Sequence, residues 1–116
     1  MARDPLVYLE DIVFGCERVR EYTFQKDFSQ FEGDPILVDA VLRNLEIIGE
    51  AAKNVPESIR SLSDDTEWKR VAGFRDVLAH AYFAVNLATV WDIVQTKIDP
   101  LRNSVSKLIT RLVSKP

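Results

Sequence analysis

The sequence predicts an all-α fold, an antiparallel bundle of four to five helices forming one domain over residues 1–116. Three observations carry this expectation. Apolar residues recur at steps of three and four in each long segment, and no segment sustains a period of two. Asp-Pro opens two of these segments, at Asp4–Pro5 and Asp34–Pro35, as an N-cap followed by a proline whose missing N–H is not needed in a first turn. The composition, 47% apolar and 28% charged, is globular rather than disordered or fibrous. A chain of this length buries roughly 60 to 70% of its unfolded surface, enough for one core without staples.

The first helix starts at Asp4 and fades near Tyr22, with Leu6, Leu9, Val13, Cys16 and Arg20 at helical spacing and Ile12 and Val19 alongside. The connector "TFQKDFSQFEGD" has room for one short helical turn. The second long helix starts at Asp34. Leu37, Val41, Leu45, Ile48, Ala52 and Val55 make its apolar stripe, and Arg43, Glu46, Glu50 and Lys53 a charged line on another side. Pro56 ends it, and "PESIRSLSDDTEW" is polar and turn-rich, with Ile59 and Leu62 turned inward. A third helix is expected from about Thr66 to about Phe83. Asn86, with Thr89 three residues on, caps a fresh start. Leu87, Trp91, Val94, Ile98, Leu101, Val105, Leu108 and Leu112 then keep a near-heptad rhythm to the end. Pro100 interrupts that run, and Asp99 before it can cap a new helix, so a kink or short break is expected there.

Several function classes recede at this point. No apolar run reaches the length of about 20 residues that spans a bilayer, and the N-terminus lacks a basic stretch followed by a long apolar one. A cytoplasmic protein with no membrane contact is expected. The single cysteine, Cys16, permits no intrachain disulfide and fits a reducing compartment as a small buried hydrophobe. One histidine and one cysteine make a zinc site a poor reading, no carboxylate cluster recommends magnesium, and no glycine-rich phosphate loop or nucleophile elbow is present. Neither a metal nor a cofactor is expected. The net charge of −3 argues against a broad basic surface but leaves room for a local basic cleft.

The unusual stretch is "RDVLAHAYF", residues 75 to 83, which holds the lone His80. At about 100° per residue, Trp68, Val71, Ala72, Leu78, Ala79 and Tyr82 cluster in one arc, and Arg75 lies inside it. An arginine there needs a partner such as Glu50, or a cleft, or an interface. Asp76 and His80, four apart, are spaced for an acid to orient an imidazole and raise its pKa, which is also the spacing of a solvated helix face. Glu50 and Lys53 read either as a solvated ion pair or as a brace for Arg75 and an RNA contact. Trp68 and Trp91 fall on apolar phases and read as core or dimer contacts rather than base-stacking platforms.

At "GFRDVLAHAYF" the chain resembles the HEPN superfamily, whose mark is Arg, four residues, His, with His-x-Tyr in its HepT-like branch. Arg75, His80 and Tyr82 match that motif. "DAVLRNLEIIGEAAKNVPESIR", "DTEWKRVAGFRD" and "VWDIVQTKIDPL" extend the resemblance over nearly the whole chain, most weakly over residues 23 to 33. Asp76 stands where Asn is also common in that branch. Ala81 stands where an acidic residue is often found, a departure that spares the motif and alters the charge beside it.

The resemblance implies a helical homodimer acting as a metal-independent endoribonuclease toxin on tRNA or mRNA, with two motif copies facing each other across a cleft. Arg75 would hold the phosphate and His80 serve as base or acid, with Asp76 supporting. One histidine cannot be both base and acid in one step, so a composite site with two copies of His80 is expected, giving a 2′,3′-cyclic phosphate and a 5′-hydroxyl. The resemblance also implies a cognate minimal-nucleotidyltransferase antitoxin, with Tyr82 as the residue it AMPylates. The competing reading is a catalytically silent HEPN module that binds nucleotide or RNA as the partner of such a nucleotidyltransferase.

Overall fold

Residues 3–74 and 86–114 are described by the structure, a computed structural model. Among them are seven helices and no strand: α1 (Pro5–Thr23), α2 (Phe28–Glu32), α3 (Pro35–Asn54), α4 (Glu57–Arg60), α5 (Trp68–Ala72), α6 (Leu87–Thr96) and α7 (Ile98–Val113). The start signals act as expected. Asp4 Oδ1 accepts from the Leu6 N–H at 2.9 Å and Asp34 Oδ1 from the Leu37 N–H at 3.1 Å, each ahead of a first-turn proline. Asn86 Oδ1 accepts from the Thr89 N–H at 3.2 Å. The short turn in the connector is α2, held by a reciprocal capping box: the Gln30 N–H donates to Asp27 Oδ1 at 2.8 Å and the Asp27 N–H to Gln30 Oε1 at 2.9 Å.

The frame is α1, α3 and α7. Leu9, Ile12, Cys16 and Val19 of α1 are buried against the full apolar stripe of α3 and against Ile98, Leu101, Val105 and Leu108 of α7. Each large aliphatic side chain so buried contributes roughly 1.5 to 3 kcal/mol. Helices α1 and α7 run antiparallel. Glu17 of α1 meets Arg102 of α7 at 3.1 Å, and Arg20, further along α1, meets Asp99, earlier on α7, at 2.8 Å. Helices α1 and α3 pack tightly at Gly15, where a Cβ would stand 2.6 Å from Ile48 Cγ1. Glycine at that position leaves room for the Ile48 side chain against the α1 backbone.

Three expectations need correction or limit. The break in the last helical run falls at Lys97, between α6 and α7, not at Pro100. Pro100 is the third residue of α7, where its missing N–H has no intrahelical partner to lose, and Asp99 lies in the first turn instead of capping it. Arg20 keeps helical spacing but is exposed beside Asp99 rather than part of the apolar stripe. The third helix begins at Trp68, near Thr66 as expected, and the Thr66 hydroxyl donates to Ser104 Oγ at 2.9 Å. Its continuation from residue 75 toward Phe83, including Leu78 and Ala79, lies outside the described residues.

The segment from Pro56 to Phe74 runs back along α7, meeting Arg111 at Leu62, Ser104 at Thr66 and Lys97 at Glu67. It contains α4, with Ile59 and Leu62 half-buried against the core as expected. Trp68 is a core contact, and its indole N–H donates to the Arg60 carbonyl at 3.1 Å. Trp91 stacks on Phe31 with ring centroids 5.0 Å apart.

Candidate functional site

Helix α5 packs on α3 through Trp68 and Val71, and Phe74 follows them into the core. On the far side, Asn86 caps α6. The chain therefore enters the 75–85 stretch from a buried anchor and leaves it at a capped helix start. Arg75, Asp76, Ala81, His80 and Tyr82 lie outside the described residues. A buried run of hydroxyls fixes the approach to α5. Ser63 Oγ and Thr66 Oγ1 share a hydrogen bond of 2.6 Å, Thr66 donates to Ser104 at 2.9 Å, and Ser104 donates to the Leu101 carbonyl at 3.2 Å.

Of the expected site residues, Glu50 and Lys53 are described. They are part of an exposed line on α3, about 60° apart around the helix. Glu50 helps to wall a surface cavity of about 420 Å³ between α1 and α3, while Lys53 lies outside it. Arg3, Tyr8, Asp11, Arg43 and Glu46 complete most of that wall. Arg3 lies over the Tyr8 ring at 4.9 Å and pairs with Asp11 at 3.4 Å, and Arg43 pairs with Glu46 at 3.6 Å. Three carboxylates against two guanidinium groups do not make a basic track for a polyanion.

A smaller cleft of about 140 Å³ runs between α5 and the α6–α7 junction, and its wall reaches Phe74, one residue before Arg75. Here Glu67 holds two cations from different elements, Arg70 at 3.2 Å and Lys97 at 3.6 Å. Sequence reasoning missed this group. Lys97 is 30 residues beyond Glu67 along the chain, so nothing in local spacing joins them.

Cys16 is no nucleophile. Burial pushes its thiol up to about 12, with the nearby Asp99 carboxylate adding to the shift. The thiolate, the reactive form, is therefore scarce at neutral pH. Among the described residues no three His, Cys, Asp or Glu side chains gather closely enough to hold a metal ion. Nor is any described helix long and apolar enough to cross a membrane.

The family model described as "Ribonuclease HepT-like" matches residues 15–108. The chain belongs to the HepT-like ribonuclease family. Among relatives of this HepT-like chain, "Probable ribonuclease HepT" of Thermococcus cleftensis is 40% identical over 108 residues, covering 93% of this chain and 98% of that protein. "Putative RNase TTE0752" of Caldanaerobacter subterraneus subsp. tengcongensis is 38% identical over 109 residues, covering 94% of this chain and 97% of the relative. No solved structure is a significant match. The matched span contains Arg75, His80 and Tyr82, and it also contains the Glu67, Arg70 and Lys97 group.

Proposed function

We propose that this HepT-like chain is a metal-independent endoribonuclease, the toxin of a toxin–antitoxin pair, working as a cytoplasmic homodimer on tRNA or mRNA. The observation that carries the reading is the Arg75, His80, Tyr82 series inside the span matched by the HepT-like family model. The anchored Phe74 and capped Asn86 support it, because a reacting stretch needs rigid flanks.

In this mechanism His80 of one protomer removes the proton from the ribose 2′-hydroxyl. The 2′-oxygen attacks phosphorus, the bond to the 5′-oxygen breaks, and His80 of the partner subunit delivers a proton to that oxygen. Arg75 neutralises the negative charge that grows on the phosphoryl oxygens, using its planar donor fork. Asp76 orients the imidazole. The products are a 2′,3′-cyclic phosphate and a 5′-hydroxyl. Control comes from a nucleotidyltransferase antitoxin that transfers adenylate from ATP to the Tyr82 hydroxyl and releases pyrophosphate. The added bulk and negative charge beside Arg75 then exclude the RNA backbone.

The test is cleavage of end-labelled RNA in the presence of a chelator. Wild type cuts it, and His80→Ala slows the cut by about a hundredfold or more. Equal rates for the two proteins, or cleavage at full rate by a stable monomer, would refute the composite site. Expression of each protein alone in bacteria reads toxicity, and the mass of Tyr82 after co-expression with the neighbouring nucleotidyltransferase reads AMPylation.

A further inference from the structure

We infer that Arg70 and Lys97 form a phosphate-contacting subsite for an RNA strand beside the reacting stretch, and that Glu67 occupies the place of that phosphate in the free protein. The inference rests on the RNA-cleaving reading and extends it to residues outside the Arg75 and His80 motif.

Three features point to it. The first is convergence. Arg70 comes from α5 and Lys97 from the α6–α7 junction, yet both reach one carboxylate, Arg70 Nη1 to Oε2 at 3.2 Å and Lys97 Nζ to Oε1 at 3.6 Å. A carboxylate and a phosphodiester each present two oxygens on one negative charge, so side chains gathered on the first are already placed for the second. The second feature is charge balance. Asp65, the other acid on the cleft wall, accepts a hydrogen bond from Ser63 Oγ at 3.0 Å. That bond leaves the Asp65 charge in place, so the cleft wall carries two cations against two carboxylates, and both cations meet on Glu67. Exposed Lys69 adds a third charge on the adjoining surface. By contrast, the larger cavity at Glu50 carries more carboxylates than cations.

The third feature is position. The cleft wall runs from Thr96 and Lys97 to Phe74, so the paired cations lie beside the entry to the Arg75 stretch. Arg70 and Glu67 are both more than half exposed, so a strand can reach them, and the ion pair is loose enough to exchange partners.

Removal of the Glu67 carboxylate and removal of either cation predict effects of opposite sign, which a purely structural ion pair does not. The experiment measures binding of fluorescein-labelled single-stranded RNA against salt for wild type, Glu67→Gln, Arg70→Gln and Lys97→Gln, with single-turnover cleavage of the same RNA in parallel. Arg70→Gln and Lys97→Gln weaken binding by about threefold to tenfold, and flatten the plot of log K against log salt by about 0.7 per lost phosphate contact. Glu67→Gln tightens binding by about threefold at low salt, because the competing anion is gone. Thermal melting confirms that all three variants fold. Unchanged or weakened binding by Glu67→Gln, or unchanged salt slopes for the two cation variants, would overturn the inference even if wild type cuts RNA. RNA that is bound with the expected order of affinities but never cut would keep the inference and overturn the proposed activity.

Discussion

Two regions of this molecule are held together by different physics. The α1, α3 and α7 frame is dry. Ile48, Ile12 and Val105 have no solvent exposure, and the Ile48 side chain packs on the α1 backbone at Gly15. The Pro56–Phe74 segment has two helices of four and five residues, too short to be stable alone, and it relies on specific polar contacts. The Ser63, Thr66 and Ser104 hydroxyls, the Trp68 indole on the Arg60 carbonyl, and the Arg111 guanidinium on the Leu62 carbonyl at 2.9 Å tie it down. The frame supplies stability, and the edge supplies placement for the stretch that follows Phe74. Damage to the first should lower the stability of the whole bundle, whereas damage to the second should loosen one segment.

The strongest test of the frame is Ile48→Ala. It empties space at the α1–α3 crossing and is expected to lower global stability by about 2 to 5 kcal/mol, read by urea denaturation. Gly15→Val probes the same crossing from the other side. Its Cβ must displace Ile48 Cγ1, a core atom with no solvent to retreat into, at about 1 to 3 kcal/mol. A loss confined to residues 56–74 in hydrogen exchange would contradict the division drawn above.

At the edge, Thr66→Val keeps shape but deletes the central hydroxyl. Ser63 and Ser104 then each lose a buried partner, and about 1 to 3 kcal/mol is expected to be lost. Hydrogen exchange should show the loss first as faster opening of α4 and α5, with α1 and α3 little changed. Equal acceleration throughout the bundle would mean that the hydroxyls belong to the global core.

The same contrast explains what the sequence disclosed. The frame is written in repeated local signals: Asp-Pro starts and apolar steps of three and four mark α1 and α3 almost to the residue. The break at Lys97 was misplaced because proline is most visible where it interrupts an apolar run, although in a first turn it interrupts nothing. The Thr66 to Ser104 bond spans 38 residues and the Glu67 to Lys97 contact spans 30, so no local pattern could announce either. Of the site, the wording around Arg75, His80 and Tyr82 disclosed the family, which the family model then matched. Glu50 was read as half of a solvated pair with Lys53 or as a brace for Arg75, and the mixed charge around it was not legible from α3 alone, because Arg3, Tyr8 and Asp11 arrive from α1.

A pH titration probes the frame without changing its packing much. The Cys16 thiol is pushed from 9.0 to about 12 mainly by burial. Between those values the unfolded chain has lost the thiol proton and the folded chain retains it. Stability therefore falls as pH rises, by about 1.4 kcal/mol per pH unit from this group. Below 9.0 both states are protonated and Cys16 adds no slope. The measurable quantity is the difference between wild type and Cys16→Ala, in which the contributions of all other groups cancel. That difference should be flat below about pH 9 and fall above it. A constant difference from pH 7 to 11 would place the thiol in contact with water.

The smallest effect lies on the rim of the frame. Arg20 and Asp99 meet at 2.8 Å, yet their side chains are 51% and 61% exposed, so water and salt screen the pair. Arg20 lies in the last turn of α1 and Asp99 in the first turn of α7, so each also suits its own helix dipole. A double-mutant cycle with Arg20→Ala and Asp99→Ala should give a coupling of about 0.2 to 1 kcal/mol in low salt. In 1 M salt that coupling should nearly vanish, whereas the loss caused by Ile48→Ala should persist, because screening acts on charges and not on packing. A salt-resistant coupling above about 2 kcal/mol would show that the rim pair is desolvated and belongs energetically to the core.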